Sequence, residues 1–284
     1  MAFWQAGEAR IFYTDQGTGD VPVVLVHGWS CDSSDWIWLI PELAQSYRVI
    51  AVDLRGHGHS EAPATGYGPE AFAEELEQFL DHLELSKPVI VGHSMGGVVG
   101  SILAVAHPSR LAGLVVIDPP YGFDHDGALR NIGLVSALEQ GPANEIVADF
   151  FGVLEGADTP PALVELHRRR ALGTPAHVVL ETAKATHAEL GSVVNSPNTE
   201  RLLAARKTPT LAFHLTEQRA EWERTLSASS QSESVAFEGA GHWLHQERPA
   251  QFSAVLQRWL NALTRSALAG NSAEPVQSPA EAVE

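Results

Sequence analysis

Along the chain, short apolar runs bounded by turn residues alternate with stretches whose apolar positions recur every three or four residues. VPVVLV (21–26), RVIAVD (48–53), PVIVG (88–92), LVVID (114–118), TLAFH (210–214) and SVAFE (234–238) are near-continuously apolar. Runs of that length and character predict strands buried on both faces. Between them, residues 69–85 place Phe72, Leu76, Phe79, Leu80 and Leu83 on one helical face, with Glu74, Glu75 and Glu77 off it. The run from Gly96 to Ala106 predicts another helix, stopped at Pro108. Strand–helix alternation of this kind predicts a parallel sheet with helices on both faces.

Two segments break the rhythm. From Tyr121 to Arg206 no strand is legible, while 143–154, 160–172 and 176–190 are helical stretches separated by Gly and Pro. Roughly 85 residues are far too many for an ordinary connection, which predicts a helical insertion acting as a lid. The expected division is a core of 1–120 and 207–267 with a cap of 121–206. The last stretch, LAGNSAEPVQSPAEAVE (268–284), has the composition of a disordered tail.

Composition narrows the function classes. Hydrophobic residues make up 44% of the chain and charged ones 19%, as in ordinary soluble globular proteins. A formal net charge of -17 repels nucleic acid and anionic membranes and argues against both as partners. The acidic residues are spread along the chain, which suits solubility. Cys31 is the only cysteine, so no intrachain disulfide forms and a reducing compartment fits. MAFWQAGEARIFYTDQG lacks a basic segment followed by an apolar one, and no run reaches the ~18 apolar residues of a membrane span. A soluble, cytoplasmic protein handling a small molecule is the expectation, with oligomeric state left open.

The strongest chemical signal is PVIVGHSMGG (88–97). It is a strand, a G-x-S-x-G turn over Gly92, Ser94 and Gly96, and a helix, the context in which that motif exposes a serine nucleophile. Ser94 must sit on a turn so tight that its backbone is strained, and the flanking glycines let helix and strand approach. The helix start offers the N–H of Met95 to a developing oxyanion. LVHGWSCDSSDW (25–36) follows the first buried strand, and the N–H of Trp29, or of Ser30, is the natural second donor. His27 reads as a loop-bracing histidine and Cys31 as small core filler. In DLRGHGHS (53–60), Asp53 and the glycines read as turn chemistry supporting the site, and His57 and His59 as structural.

The base comes from FEGAGHWLHQERP (237–249), after the last strand. Gly239 and Gly241 let the loop aim His242 back over the strand ends. A neutral imidazole there can take the serine proton and return it to the leaving group. His245, where the next helix begins, reads as structural. No metal-ligand spacing occurs, so neither a metal nor a cofactor is expected.

Taken together, HGW (27–29), DLRGHGHS, GHSMGG (92–97) and GAGHWLHQERP (239–249) resemble the α/β-hydrolase superfamily across residues 9–265. The resemblance implies a mostly parallel eight-stranded sheet, a helical cap inserted after the sixth strand, and a Ser–His–acid enzyme. Members of that superfamily commonly act on esters, lactones, thioesters, amides or β-diketone C–C bonds. A serine nucleophile argues against the relatives that use an aspartate on halides and epoxides. In most relatives the acid follows the strand before the histidine loop, in a pattern like G-x-x-D. Here that alignment gives Leu215-Thr216-Glu217-Gln218, and a neutral amide cannot stabilise an imidazolium. Two acids are candidates: Asp118, at the end of the sixth strand as in zearalenone-type lactonases, and Glu217, one residue early. Asp118 also has a bland reading, as a turn residue leading the chain into the lid.

The leading expectation is therefore a serine hydrolase cleaving a carboxylic ester or lactone through an acyl-enzyme. Ser94 attacks, His242 is the base, Asp118 orients it, and Trp29 and Met95 hold the oxyanion. Ser30, Tyr121 and Trp243 are the candidate substrate-binding residues. Trp36 and Trp38 also flank site loops, and for any single tryptophan core packing is an equal expectation. The rival readings are a C–C bond hydrolase of a β-diketone substrate and a non-catalytic ligand receptor. The second draws its one support from the vacant acid position.

Overall fold

The computed structural model describes residues 1–271. Eight strands make one sheet: β1 (Ala2–Ala6), β2 (Ala9–Gln16), β3 (Pro22–Val26), β4 (Arg48–Val52), β5 (Val89–His93), β6 (Gly113–Ile117), β7 (Thr210–His214) and β8 (Glu233–Ala236). Their spatial order is β1-β2-β4-β3-β5-β6-β7-β8. From β4 to β8 every pairing is parallel, while β2 runs antiparallel to both β1 and β4. The six apolar runs correspond to β3–β8, and every residue of β3, β5, β6 and β7 is buried. The β1–β2 hairpin was not legible from its sequence, because its first strand alternates between exposed and half-buried positions.

Alternate side chains of the sheet feed two cores, as the two-residue period of a strand requires. Val24, Val26, Ile50, Ile90 and Leu114 face α2 (Pro69–His82) and α3 (Met95–Ala106), which contribute Phe72, Leu76, Phe79, Val99 and Leu103; α1 (Ile40–Leu43) lies on the other side. There, Val23, Leu25, Val49, Val91, Val115 and Phe213 meet Ile40 and Leu43 together with Phe252, Leu256 and Trp259 of the last helix. The sheet is thus covered on both faces.

Between β6 and β7 come α4 (His125–Gln140), α5 (Ala143–Leu154), α6 (Pro161–Gly173), α7 (Ala176–His187) and α8 (Asn198–Ala205). Of these, α4–α7 share an apolar core of Val135, Leu138, Val147, Phe151, Ala171, Val179 and Ala183, closed from below by Cys31 and Trp243. Helix α8 instead sets Leu203 against Val98 of α3 and Tyr121. After β7 follow α9 (Glu217–Leu226), α10 (Leu244–Glu247) and α11 (Pro249–Asn271). Residues 268–271, expected in a tail, are the end of α11; the rest of that stretch lies outside the described residues. Among the described residues no helix is long and apolar enough to cross a membrane.

Candidate active site

Ser94 stands between β5 and α3 with φ 50° and ψ -118°, a backbone conformation that non-glycine residues adopt only when the surroundings impose it. Those surroundings are two glycines. A Cβ on Gly92 would lie 2.2 Å from the Gly96 carbonyl oxygen, and one on Gly96 would lie 2.3 Å from that of Val26. Strand and helix therefore meet at backbone contact, and the serine between them is pushed out of the sheet. Its N–H donates to the Ile117 carbonyl (2.8 Å), tying the turn to the end of β6.

Asp118 follows that strand end directly. Its own N–H donates to the Phe213 carbonyl at 2.8 Å, and its φ is 42°, so the carboxylate turns off the sheet rather than continuing it. Across the strand ends, the Nδ1–H of His242 donates to Asp118 Oδ2 at 2.6 Å. This contact leaves Nε2 as the imidazole's free nitrogen, and Ser94, Asp118 and His242 line one cavity. Glu217 is elsewhere: it opens α9, is exposed, and accepts from Arg224 Nη2 at 2.5 Å. Gln218 beside it is exposed as well.

The loop carrying His242 is held on three sides. Its backbone N–H donates to the Leu154 carbonyl of α5 (2.9 Å), and its carbonyl accepts from His93 Nε2 (3.0 Å). The preceding Gly241 N–H donates to Glu247 (2.9 Å), which also accepts from Thr159 of the insertion (2.7 Å). Burial, reinforced by His242 and His245 alongside, pushes His93 far below the usual histidine range, so it serves as a neutral donor. His245 is likewise held neutral by burial.

Beneath the loop, Cys31, Asp35 and His93 come close enough to be asked whether they hold a metal. Asp35 is already paired with Arg170 of α6 and accepts from Gln246 (3.0 Å). Burial pushes the Cys31 thiol well up, which disfavours the thiolate a metal needs. The trio reads as part of a polar joint between core and insertion, continued by His167, which bonds Glu155 (2.8 Å) and Gln246 (3.2 Å).

The oxyanion loop runs past the same point. His27 bonds the Gly28 carbonyl (2.7 Å) and accepts from the Leu54 N–H (2.9 Å); Asp53 accepts from the N–H groups of Ser33 (2.7 Å) and His59 (2.8 Å). These contacts brace the loop that carries Trp29 at the cavity wall, which Met95 also lines from the start of α3, and neither residue's backbone N–H has a partner among the described residues.

The cavity holds about 450 Å³. Its apolar lining comes from Trp29, Pro119, Pro120, Phe123, Leu134, Phe150 and Leu154. Polar groups interrupt it on the insertion side: Asn131 Nδ2, Thr182 Oγ1, Thr186 Oγ1 and His187 Nδ1 are buried without hydrogen-bond partners. Burial pushes His187 down to about 4, so it too is neutral. These four, and Arg219 on the opposite wall, were not singled out from the sequence. The available signal was a pair of threonines four residues apart on the apolar face of α7.

The expected substrate-binding residues divide. Tyr121 lines the cavity, its hydroxyl turned away to Gly97 O (3.1 Å) and Ser101 Oγ (2.5 Å). Ser30 does not line it: with φ 54° its side chain turns into the protein and is fully buried. Trp243 is fully buried, stacked on His167 at 4.0 Å, and borders only a 40 Å³ void behind Ser94. Trp36 is core, and Trp38 is exposed.

A profile of the Alpha/beta hydrolase family matches residues 23–255. Among curated proteins, a non-heme chloroperoxidase of Streptomyces lividans is 41% identical over 116 residues, 39% of this chain and 42% of that protein. A dihydrolipoyllysine-residue acetyltransferase component of an acetoin cleaving system, from Cupriavidus necator, is 26% identical over 251 residues, 88% of this chain and 66% of that protein. Both alignments thus span less than two thirds of the relative's length. A thermophilic esterase from Thermogutta terrifontis superposes with a TM-score of 0.77 at 28% identity, covering 90% of this chain and 95% of that one.

Proposed function

Because the chain belongs to the alpha/beta hydrolase family, we propose that it cleaves a carboxylic ester or lactone through an acyl-enzyme on Ser94. The observation that carries this reading is the 2.6 Å contact between His242 Nδ1 and Asp118, beside a serine on a strained turn. With Nδ1 committed, His242 Nε2 takes the Ser94 proton as Oγ attacks the carbonyl carbon. The negative charge on the carbonyl oxygen is met by the N–H groups of Met95 and Trp29, each donor typically worth about 2.7–4 kcal/mol to such a transition state. The imidazolium, stabilised by the Asp118 carboxylate, then protonates the leaving alkoxide. Water attacks the acyl-enzyme by the reverse path and releases the acid.

The likeness to an esterase over nearly the whole chain supports the ester reading. The receptor reading drew on a missing acid, and an aspartate in contact with His242 supports turnover instead. The lone cysteine, buried and uncommitted, fits a reducing cytoplasm. The test is labelling by a fluorophosphonate together with hydrolysis of an ester and lactone panel. Both are expected in the wild type and absent in Ser94→Ala. Turnover that survives in Ser94→Ala would overturn the mechanism.

A further inference from the structure

The cavity is lined by one arginine that no carboxylate reaches within salt-bridge distance among the described residues. Arg219 sits in the first turn of α9, directly after the strand where relatives carry their acid, and it lines the same wall as Ser94 and His242. Among the described residues it forms no salt bridge; Arg130, Arg201, Arg248 and Arg265 form none either, but none of those four lines the cavity, and three of them are exposed. What sets Arg219 apart is that it is partly buried and faces the cavity rather than open solvent.

The nearby carboxylates have partners of their own, apart from Glu200 Oε2, which is buried without one. Asp118 is on His242, Glu223 is held by Arg206 and His214, Glu200 accepts from Ser196, and Asp124 caps α4 through the Gly127 N–H. The guanidinium itself is fixed. Its Nη2 donates to the Tyr121 carbonyl at 2.6 Å, and its Cζ lies over the Trp222 ring, 4.3 Å from the centroid. Gly122 makes the room, since a Cβ there would come within 2.9 Å of Trp222 and 3.3 Å of Arg219 Nη1. One hydrogen bond and one stacking contact leave most of the five N–H donors unused, in the planar geometry that takes a carboxylate by two bonds. Partial burial lowers the pKa of Arg219, outweighing the pull of Glu223, Asp118 and Glu200 in the other direction. The other wall offers only neutral groups, His187 included.

We propose that Arg219 is an anion subsite of this cavity and that the substrate is an ester or lactone bearing a second, free carboxylate. The proposal rests on Ser94 being the nucleophile, and its test separates the two. Hydrolysis is measured on monomethyl esters of C4–C8 dicarboxylic acids and on acetate esters of ω-hydroxy acids. Each is paired with the same ester carrying a primary amide in place of the free carboxylate. The best carboxylate is expected to exceed its amide twin roughly 10- to 100-fold in kcat/KM, chiefly through KM, as a charged hydrogen-bonded pair typically does. In Arg219→Gln the ratio falls toward 1, and Arg219→Lys keeps part of it. Titration of Ser94→Ala with the same pairs reads the preference without turnover. Should Arg219→Gln not fold, the wild-type ratio shrinks with added salt if a charge pair causes it. A ratio near 1 in both wild-type kinetics and Ser94→Ala binding overturns the anion subsite. So does a ratio that Arg219→Gln leaves unchanged. Absence of all turnover and labelling, with the binding preference intact, overturns the hydrolase reading and leaves the subsite standing.

Discussion

Asp118→Asn is the most informative substitution. It keeps the shape of the side chain, and asparagine tolerates the left-handed backbone at φ 42°, so little strain is added. What it removes is the negative charge 2.6 Å from His242 Nδ1. At that separation an imidazolium–carboxylate pair is worth about 6 kcal/mol for an effective dielectric of about 20. The pair is partly open, with side-chain exposures of 12% and 20%, so water screens some of this. A charge-assisted hydrogen bond in proteins sets the lower end, at about 3 kcal/mol. The transition state, which holds the imidazolium, should therefore rise by about 3–6 kcal/mol, a loss of roughly 10²- to 10⁴-fold in kcat. Glu217→Gln is the matched control, and it should stay within about twofold because an exposed ion pair contributes little. The assay is steady-state hydrolysis of one ester by the three proteins, with circular dichroism and Tm to show that each is folded. Near-wild-type kcat in Asp118→Asn with a collapse in Glu217→Gln would refute the assignment of the acid.

Gly96→Ala should cost at least about 2 kcal/mol in thermal unfolding and abolish fluorophosphonate labelling, because its Cβ meets backbone oxygens that cannot step aside; a labelled, equally stable variant would contradict the close approach of β5 and α3. Burial, with His27 alongside, pushes the buried His57 down to about 3, whereas the unfolded chain binds that proton near pH 6.5. The folded pKa is depressed, so His57 costs no stability above about pH 6.5 and progressively more as pH falls toward 3, reaching about 2 kcal/mol at pH 5. Urea midpoints between pH 7 and 5 should show that slope, and His57→Gln should lessen it by the share of His57, the rest coming from His93, His187 and His245; an unaltered slope counts against the idea. Glu223, which burial alone would raise, is held down to about 2 by Arg206 and His214. Glu223→Gln should lose about 3–5 kcal/mol by stranding Arg206, and adding Arg206→Met should recover part of it; additive losses in the double variant would contradict the pairing.

What the sequence disclosed follows the range of the forces involved. Strands β3–β7 are continuous apolar runs because both their faces are covered, and that property is local. The β1–β2 hairpin lies half in water, and its turn signal, Gly7 before Glu8, is slight. Helices α4 and α8 were not legible because each buries few side chains: three for the sixteen residues of α4 and two for the eight of α8. Gly92, Ser94, Gly96 and His242 announce themselves through turn chemistry next to strands. The joint under the histidine loop could not, since Arg170, Asp35 and Gln246 meet across more than 70 residues of chain. Asp118 stood between the two cases. Its type and strand were visible, but only the position of His242 distinguishes an acid from a turn residue.

On the proposed reading, an acid at the end of β6 and an arginine in the first turn after β7 are two sides of one local arrangement. Strands β6 and β7 are neighbours, with Ile117 opposite Phe213, so an acid on either strand end lies about 5 Å from the other. His242, arriving after β8, can therefore be served from β6 without moving the imidazole. At the end of β7 only Leu215 and Thr216 intervene before α9 begins, and Thr216 caps it by accepting from the Arg219 N–H at 3.3 Å. Helical winding then turns Gln218 to solvent and Arg219 to the cavity. An aspartate at position 218 would follow Gln218 out to solvent, away from the cavity that His242 lines. On the proposed reading, the acid at the end of β6, in contact with His242, serves the imidazole, and Arg219 is left to a ligand.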